Sequence, residues 1–281
     1  MSTKATRRGR AASAALLLVA LLTGCGQPAA GPLAAGVATT GDPVPGGQPA
    51  AGLAPTGRPA GAAGSASMAP ASPSAVPVSY PANGGNRWSV AAGETTPARG
   101  KGRLLRYRVA VEREIRGLPV ADVAAAVSAT LNDPRGWTAG GTWRLRRVGP
   151  DAPTDFTIYL VTPGTRDELC LDNPEGYTSC RKGDKVVLNV ARWVKGVPGY
   201  GGDLATYRQY MVNHEVGHRL GQGHERCPGR GRPAPVMQQQ TLGLHGCTPN
   251  AWPYPDGDRY TGPVGTYDDK IPPREGARLA L

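Results

Sequence analysis

Eleven consecutive residues could do chemistry together: His214-Glu215-Val216-Gly217-His218-Arg219-Leu220-Gly221-Gln222-Gly223-His224, an H-E-x-x-H-x-x-G-x-x-H pattern. Side chains four apart on a helix lie on one face with Cβ atoms about 5–6 Å apart, so His214 and His218 can grip one ion. Gly221 permits the turn that brings His224 back as a third ligand. Three imidazoles leave the fourth position of a zinc ion for water, the open arrangement of a catalytic rather than a structural site. Glu215 adjoins the first ligand but projects differently, so it can reach that water without binding the metal. Zinc would lower the water's pKa toward about 7 and polarise a carbonyl, while the carboxylate takes a proton and hands it to the leaving amine. The spacing therefore predicts one Zn2+ held by His214, His218 and His224, with Glu215 as general base. The chain has only four histidines, and three of them fall in the motif, which argues against incidental core or surface histidines. His245, the fourth, reads as a surface residue or a substrate contact.

A ligand pair four apart needs a helix, and the flanking residues supply one. Asp203 after Gly201-Gly202 is a plausible N-cap, and the pattern runs to about Leu220, where Gly221 can end it. One stripe holds Leu204, Tyr207, Met211, His214 and His218, and another holds Ala205, Val212, Val216 and Leu220. A helix apolar on more than one face is buried or floors a cleft. Upstream, residues 105–111 alternate as a half-buried strand, and a helix opened by Pro119 carries Val120, Val123, Val127 and Leu131 until Asn132-Asp133-Pro134 stops it. Residues 143–148, 156–161 and 185–193 read as further strands. The order implies an α+β domain with a mixed sheet, a backing helix and an active-site helix.

The N-terminus reads as an address. Lys4, Arg7, Arg8 and Arg10 precede an apolar run from Ala11 to Leu22, too short to span a bilayer comfortably. Leu22-Thr23-Gly24-Cys25 resembles a bacterial lipobox, which implies a lipoprotein signal peptide over residues 1–24 and lipidation of Cys25, with an ordinary secretory signal as the alternative. The Arg7-Arg8 pair hints only weakly at twin-arginine export. Residues 25–100 are dominated by Ala, Gly, Pro, Ser and Thr, too little apolar surface to offset chain entropy, and read as a disordered linker. The folded domain is then expected over residues 101–281. No second apolar run is long enough to cross a membrane, which excludes a multi-pass protein. The formal charge of +11 would fall by four on removal of the leader. No dense Lys/Arg block with interleaved aromatics appears, so nucleic acid is a poor candidate partner.

With Cys25 assigned to lipid, four cysteines remain: Cys170, Cys180, Cys227 and Cys247. In an exported domain they read as two disulfides with three possible pairings. Cys170–Cys180 and Cys227–Cys247 are favoured because each closes a short loop. A competing reading puts His224 and Cys227 into a structural zinc site, which would waste the helical histidine pair.

The eleven-residue motif resembles that of the metzincin zinc peptidases. The resemblance implies a methionine turn under the metal, and Ala234-Pro235-Val236-Met237 looks like one, which would make Met237 an apolar support for the imidazoles. More widely, residues 104–253 resemble a zincin-like domain of unknown function from secreted bacterial proteins, through Asn132-Asp133-Pro134-Arg135-Gly136-Trp137, Val212-Asn213-His214-Glu215 and Gly246-Cys247. That likeness implies a zinc-peptidase fold and no substrate. Some metzincins place a tyrosine ligand two residues after the methionine; here Gln239 stands there. Tyr254 and Tyr260 are the candidates for an oxyanion-stabilising side chain.

The expected function is a lipid-anchored, extracytoplasmic zinc metallopeptidase acting on a peptide or protein, with cell-wall peptides as a substrate option and the membrane as partner through its anchor. The alternative is a non-catalytic, zinc-containing lipoprotein that holds a peptide or wall polymer.

Overall fold

A computed structural model describes residues 77–274; the leader, Cys25 and most of the expected linker lie outside them. Ten elements follow in order: β1 (Trp88–Val90), β2 (Arg103–Glu112), α1 (Val120–Leu131), β3 (Trp143–Arg147), β4 (Phe156–Val161), α2 (Pro163–Cys170), β5 (Cys180–Lys182), β6 (Lys185–Asn189), α3 (Val190–Lys195) and α4 (Leu204–Arg219). They form the expected α+β arrangement around one mixed six-stranded sheet.

The ten-residue β2 organises the sheet. Its Tyr107–Val111 half pairs in parallel with β4. Its other edge takes β3 in parallel over Arg103–Tyr107 and then β1 antiparallel over Ala110–Glu112. β4 pairs in parallel with β6, and β5 returns antiparallel along β6 to close the sheet at its far edge. The alternation on β2 sends Leu105, Tyr107, Val109 and Val111 to one face, where they join Leu145, Phe156, Ile158 and Leu160 in the main core. Helices α1 and α4 cover that face, contributing Val123, Val127, Leu131, Tyr207, Met211, Val212 and Val216. On the opposite face a smaller cluster of Val161, Val187 and Cys170 packs with Trp88 and Tyr159 near α2.

Two expectations need correction. The linker does not extend to residue 100: β1 is part of the sheet, Ala91 is buried, and Ser79 and Arg116 exchange backbone hydrogen bonds of 3.2 and 2.8 Å. Gly and Pro lower the apolar content of this stretch without preventing it from pairing with a strand already half-buried. The strand expected over 185–193 stops at Asn189, whose side chain accepts the Ala191 N–H at 3.0 Å and caps α3. The valines there satisfy a strand pattern and a helix equally; the cap decides.

Each disulfide closes the shorter loop, Cys170–Cys180 tying α2 to β5 and Cys227–Cys247 bridging two loops after α4. Two disulfides fit an oxidising, extracytoplasmic compartment. Among the described residues no helix is long and apolar enough to cross a membrane.

Candidate metal centre

Helix α4 starts at Asp203, whose carboxylate accepts the Thr206 N–H at 2.6 Å. It ends at Arg219, one residue after His218, and Gly221 takes the left-handed backbone (φ +90°) that turns the chain off the helix axis. The turn returns His224 to the helical pair. Nε2 of His218 lies 3.2 Å from Nε2 of His214 and 3.1 Å from Nε2 of His224. Zinc–imidazole bonds of about 2.0–2.1 Å in a tetrahedron would set the nitrogens about 3.3–3.4 Å apart. Three imidazole nitrogens brought that close suit a cation between them.

The other ring nitrogens support the same assignment. Nδ1 of His214 is 2.8 Å from the Val236 carbonyl, and Nδ1 of His218 is 2.9 Å from the Gln222 carbonyl. Carbonyls only accept, so both rings carry their proton on Nδ1 and turn the Nε2 lone pair inward. Burial, then the neighbouring His218 and His224 rings, hold the His214 pKa well below the usual histidine range. Burial and His218 push His224 down to about 4. The rings are therefore neutral at neutral pH, the state that binds metal.

Met237 is fully buried against α4, at the one helical position between His214 and His218 that lacks a side chain. A Cβ added at Gly217 would stand 2.5 Å from Met237 Sδ and 2.7 Å from Trp137 Cζ2. The turn that carries Met237 also binds both ends of the histidine triad. Its Val236 carbonyl fixes His214, and the Met237 carbonyl accepts the Glu225 N–H at 3.1 Å, one residue past His224. Trp137 Nε1–H donates to the Asn213 carbonyl at 2.8 Å, and the Asn213 amide donates to the Ala251 carbonyl at 2.9 Å, so two segments distant in sequence brace the start of the motif.

Glu215 is 6 % exposed, and its Oε2 has no hydrogen-bond partner among the described residues. Burial raises its pKa to about 8, with Arg166 and Arg181 opposing the shift. An orphaned carboxylate oxygen beside three imidazoles is costly for folding alone. A dication in the site would return the group to its carboxylate form.

These groups open into a cleft of about 690 Å³. One wall is the segment stapled by Cys170–Cys180, with Asp172, Glu175 and Thr178. Behind it Arg166, 2 % exposed, pairs with Asp172 at 2.7 Å and Glu175 at 2.6 Å. Gln239, Thr241 and Leu242 form the other wall. Arg181 on β5 also lines the cleft and donates to the His218 carbonyl at 2.8 and 3.2 Å. Sequence reasoning named neither arginine, because each reaches the motif only through the pairing of β5 with β6 and the placing of α2.

Other expectations resolve differently. Tyr254 and Tyr260 do not line the cleft. Tyr260 donates its hydroxyl to the Pro233 carbonyl at 3.0 Å, and the Tyr254 ring packs over Gly140. Of the two readings of His245 the surface one holds: it is exposed and does not line the cleft, its ring stacks on Tyr267 with centroids 3.5 Å apart, and Nε2 lies 2.9 Å from Asp269 Oδ2. Cys227 is committed to Cys247, which removes it from any His224–Cys227 metal site.

Comparison with curated proteins and with solved structures finds no match. Residues 75–255, more than half of the chain, match the model of a family described as "protein of unknown function" (DUF3152), and the chain belongs to that family.

Proposed function

We propose that this protein is a zinc-dependent peptidase of metzincin type, acting outside the cytoplasmic membrane and held there by lipid on Cys25. The observation that carries the reading is the convergence of three Nε2 atoms, two of them with Nδ1 tied to carbonyls, beside a buried carboxylate oxygen left without a partner. When bound, the ion supplies Lewis acidity toward a carbonyl oxygen and acidifies a water molecule.

The protein's own groups supply the rest. His214, His218 and His224 hold the ion, and the Val236 and Gln222 carbonyls keep two of the rings in the ligating tautomer. Glu215, held on the rigid helix, takes a proton from the attacking water at Oε2 and returns it to the amine nitrogen as the peptide bond breaks. The stapled wall and the Gln239–Leu242 wall confine an extended peptide between them. Zinc fits this donor set because imidazole nitrogens in a tetrahedral arrangement with one open position suit it well. The lipobox at Leu22–Cys25 and the two disulfides support an extracytoplasmic place of work.

Glu215→Gln keeps the size of the side chain and removes its basicity. The zinc-loaded variant is expected to retain one metal ion per chain and lose at least about 100-fold in cleavage of a peptide library. Undiminished cleavage would overturn the assigned role. Specific peptide capture without cleavage by the parent protein would favour the binding-lipoprotein alternative.

A further inference from the structure

Beyond the residues matched by the family model, the chain folds back over the metal centre. Val264 forms an antiparallel bridge with Glu225, the residue after the third histidine. Gly265 N–H donates to the His224 carbonyl at 3.0 Å, and Arg226 N–H donates to the Pro263 carbonyl at 2.7 Å. One residue further, Cys227 N–H donates to the Tyr267 hydroxyl at 3.2 Å. Tyr267 is in turn clamped by the His245 ring, and His245 is held by Asp269. The segment then passes Ile271 into the lining of the cleft and reaches Arg274, which donates to Asp167 and Asn83.

His214 and His218 are positioned by a sixteen-residue helix, but His224 lies after the helix has ended. A loop ligand keeps its geometry only if its backbone is fixed from outside. On one side the Met237 carbonyl does this through Glu225 N–H. On the other side the partners of residues 224, 226 and 227 come from 263, 265 and 267.

We propose that residues 263–274 are a strap that positions the third metal ligand, with Tyr267 as its central positioning residue. The strap makes no contact with the reacting atoms in this role; it acts through the backbone of His224–Cys227. This deepens the metallopeptidase reading and rests on it for its purpose, but the positioning itself can be measured without metal or substrate.

The test compares the full chain with Tyr267→Phe, which removes only the hydroxyl that accepts from Cys227, and with a chain ending at Gly262. In metal-free protein, amide hydrogen exchange is followed at residues 225–227. Exchange is expected to speed up about tenfold or more at Cys227 in Tyr267→Phe and at Arg226 and Cys227 in the shortened chain, while Glu225, held by the Met237 carbonyl, and the amides of α4 keep their protection. Zinc titration should then give an affinity about 10- to 100-fold weaker in the shortened chain. Unchanged exchange at residues 225–227 in both variants would overturn the strap's role. Failure of the parent chain to take up zinc, with exchange altered as expected, would overturn the metallopeptidase reading and leave the positioning intact. Loss of protection in α4 as well would show that the strap holds the fold and not the ligand, which also overturns the proposal.

Discussion

Glu112 shows how far one buried charge can organise this fold without taking part in the chemistry. At the end of β2 it is fully buried and accepts hydrogen bonds from Thr162 N–H at 2.8 Å, the Thr165 hydroxyl at 2.6 Å and Asn86 N–H at 3.1 Å. It thus joins the chain before β1, the end of β2 and the first turn of α2. Gly84 leaves room for it, since a Cβ there would stand 1.9 Å from its Oε1. Glu112→Ala strands three donors and should cost about 3–5 kcal/mol, measured as a lower urea midpoint with the slope retained. A midpoint within error of the parent would contradict this account. In the sequence, Glu112 looks like the polar end of an alternating strand, because its partners lie 26 to 53 residues away. The histidine triad was legible for the opposite reason: its relation is local, set by helical periodicity and one glycine. The same locality made the Asp203 cap and the Gly221 stop readable.

At the scale of elements, α4 is read correctly from its stripes and caps, but what it packs against is not. Gly217 looks like a weak point in a helix, and alanine there would gain about 1 kcal/mol of helix propensity. The close approach of Met237 and Trp137 reverses the sign. Gly217→Ala should destabilise the protein by about 1–3 kcal/mol net of that gain and weaken zinc binding, because the turn bearing Val236 and Met237 must move away from His214. Thermal unfolding with and without zinc checks it; a variant more stable than the parent in both would contradict it. The strand expected over 185–193 and the unforeseen α2 mark the limit of pattern reading. Valine-rich segments of that length do not declare their type, and the Thr162 and Asn189 caps that decide it are recognisable only with the strand ends known.

For the folded domain as a whole, the informative error is at its start. Composition placed the boundary near residue 100, yet residues 77–100 supply β1, buried Ala91, the Asn86 N–H to Glu112 and the Ala82 carbonyl that accepts from Gly164 at 2.8 Å. A protein beginning at Lys101 loses all of these. It should be less stable than one beginning at Pro77 by more than about 3 kcal/mol, as judged by urea unfolding followed through tryptophan fluorescence. Equal stability of the two would return residues 77–100 to the linker. The α+β class and the helix-backed sheet were legible because alternation and helical spacing report burial directly. Sheet order, the stapled cleft wall and the returning C-terminal segment were not, since each depends on pairings between distant parts of the chain.

The account stands on three imidazoles sharing one cation, and elemental analysis of the protein purified without added metal or chelator addresses that most directly, followed by zinc titration of the stripped chain. One zinc ion per chain, lost in His218→Ala and restored to the stripped parent at a single tight site, is the result expected. A protein that carries no transition metal and takes up none on titration would contradict it.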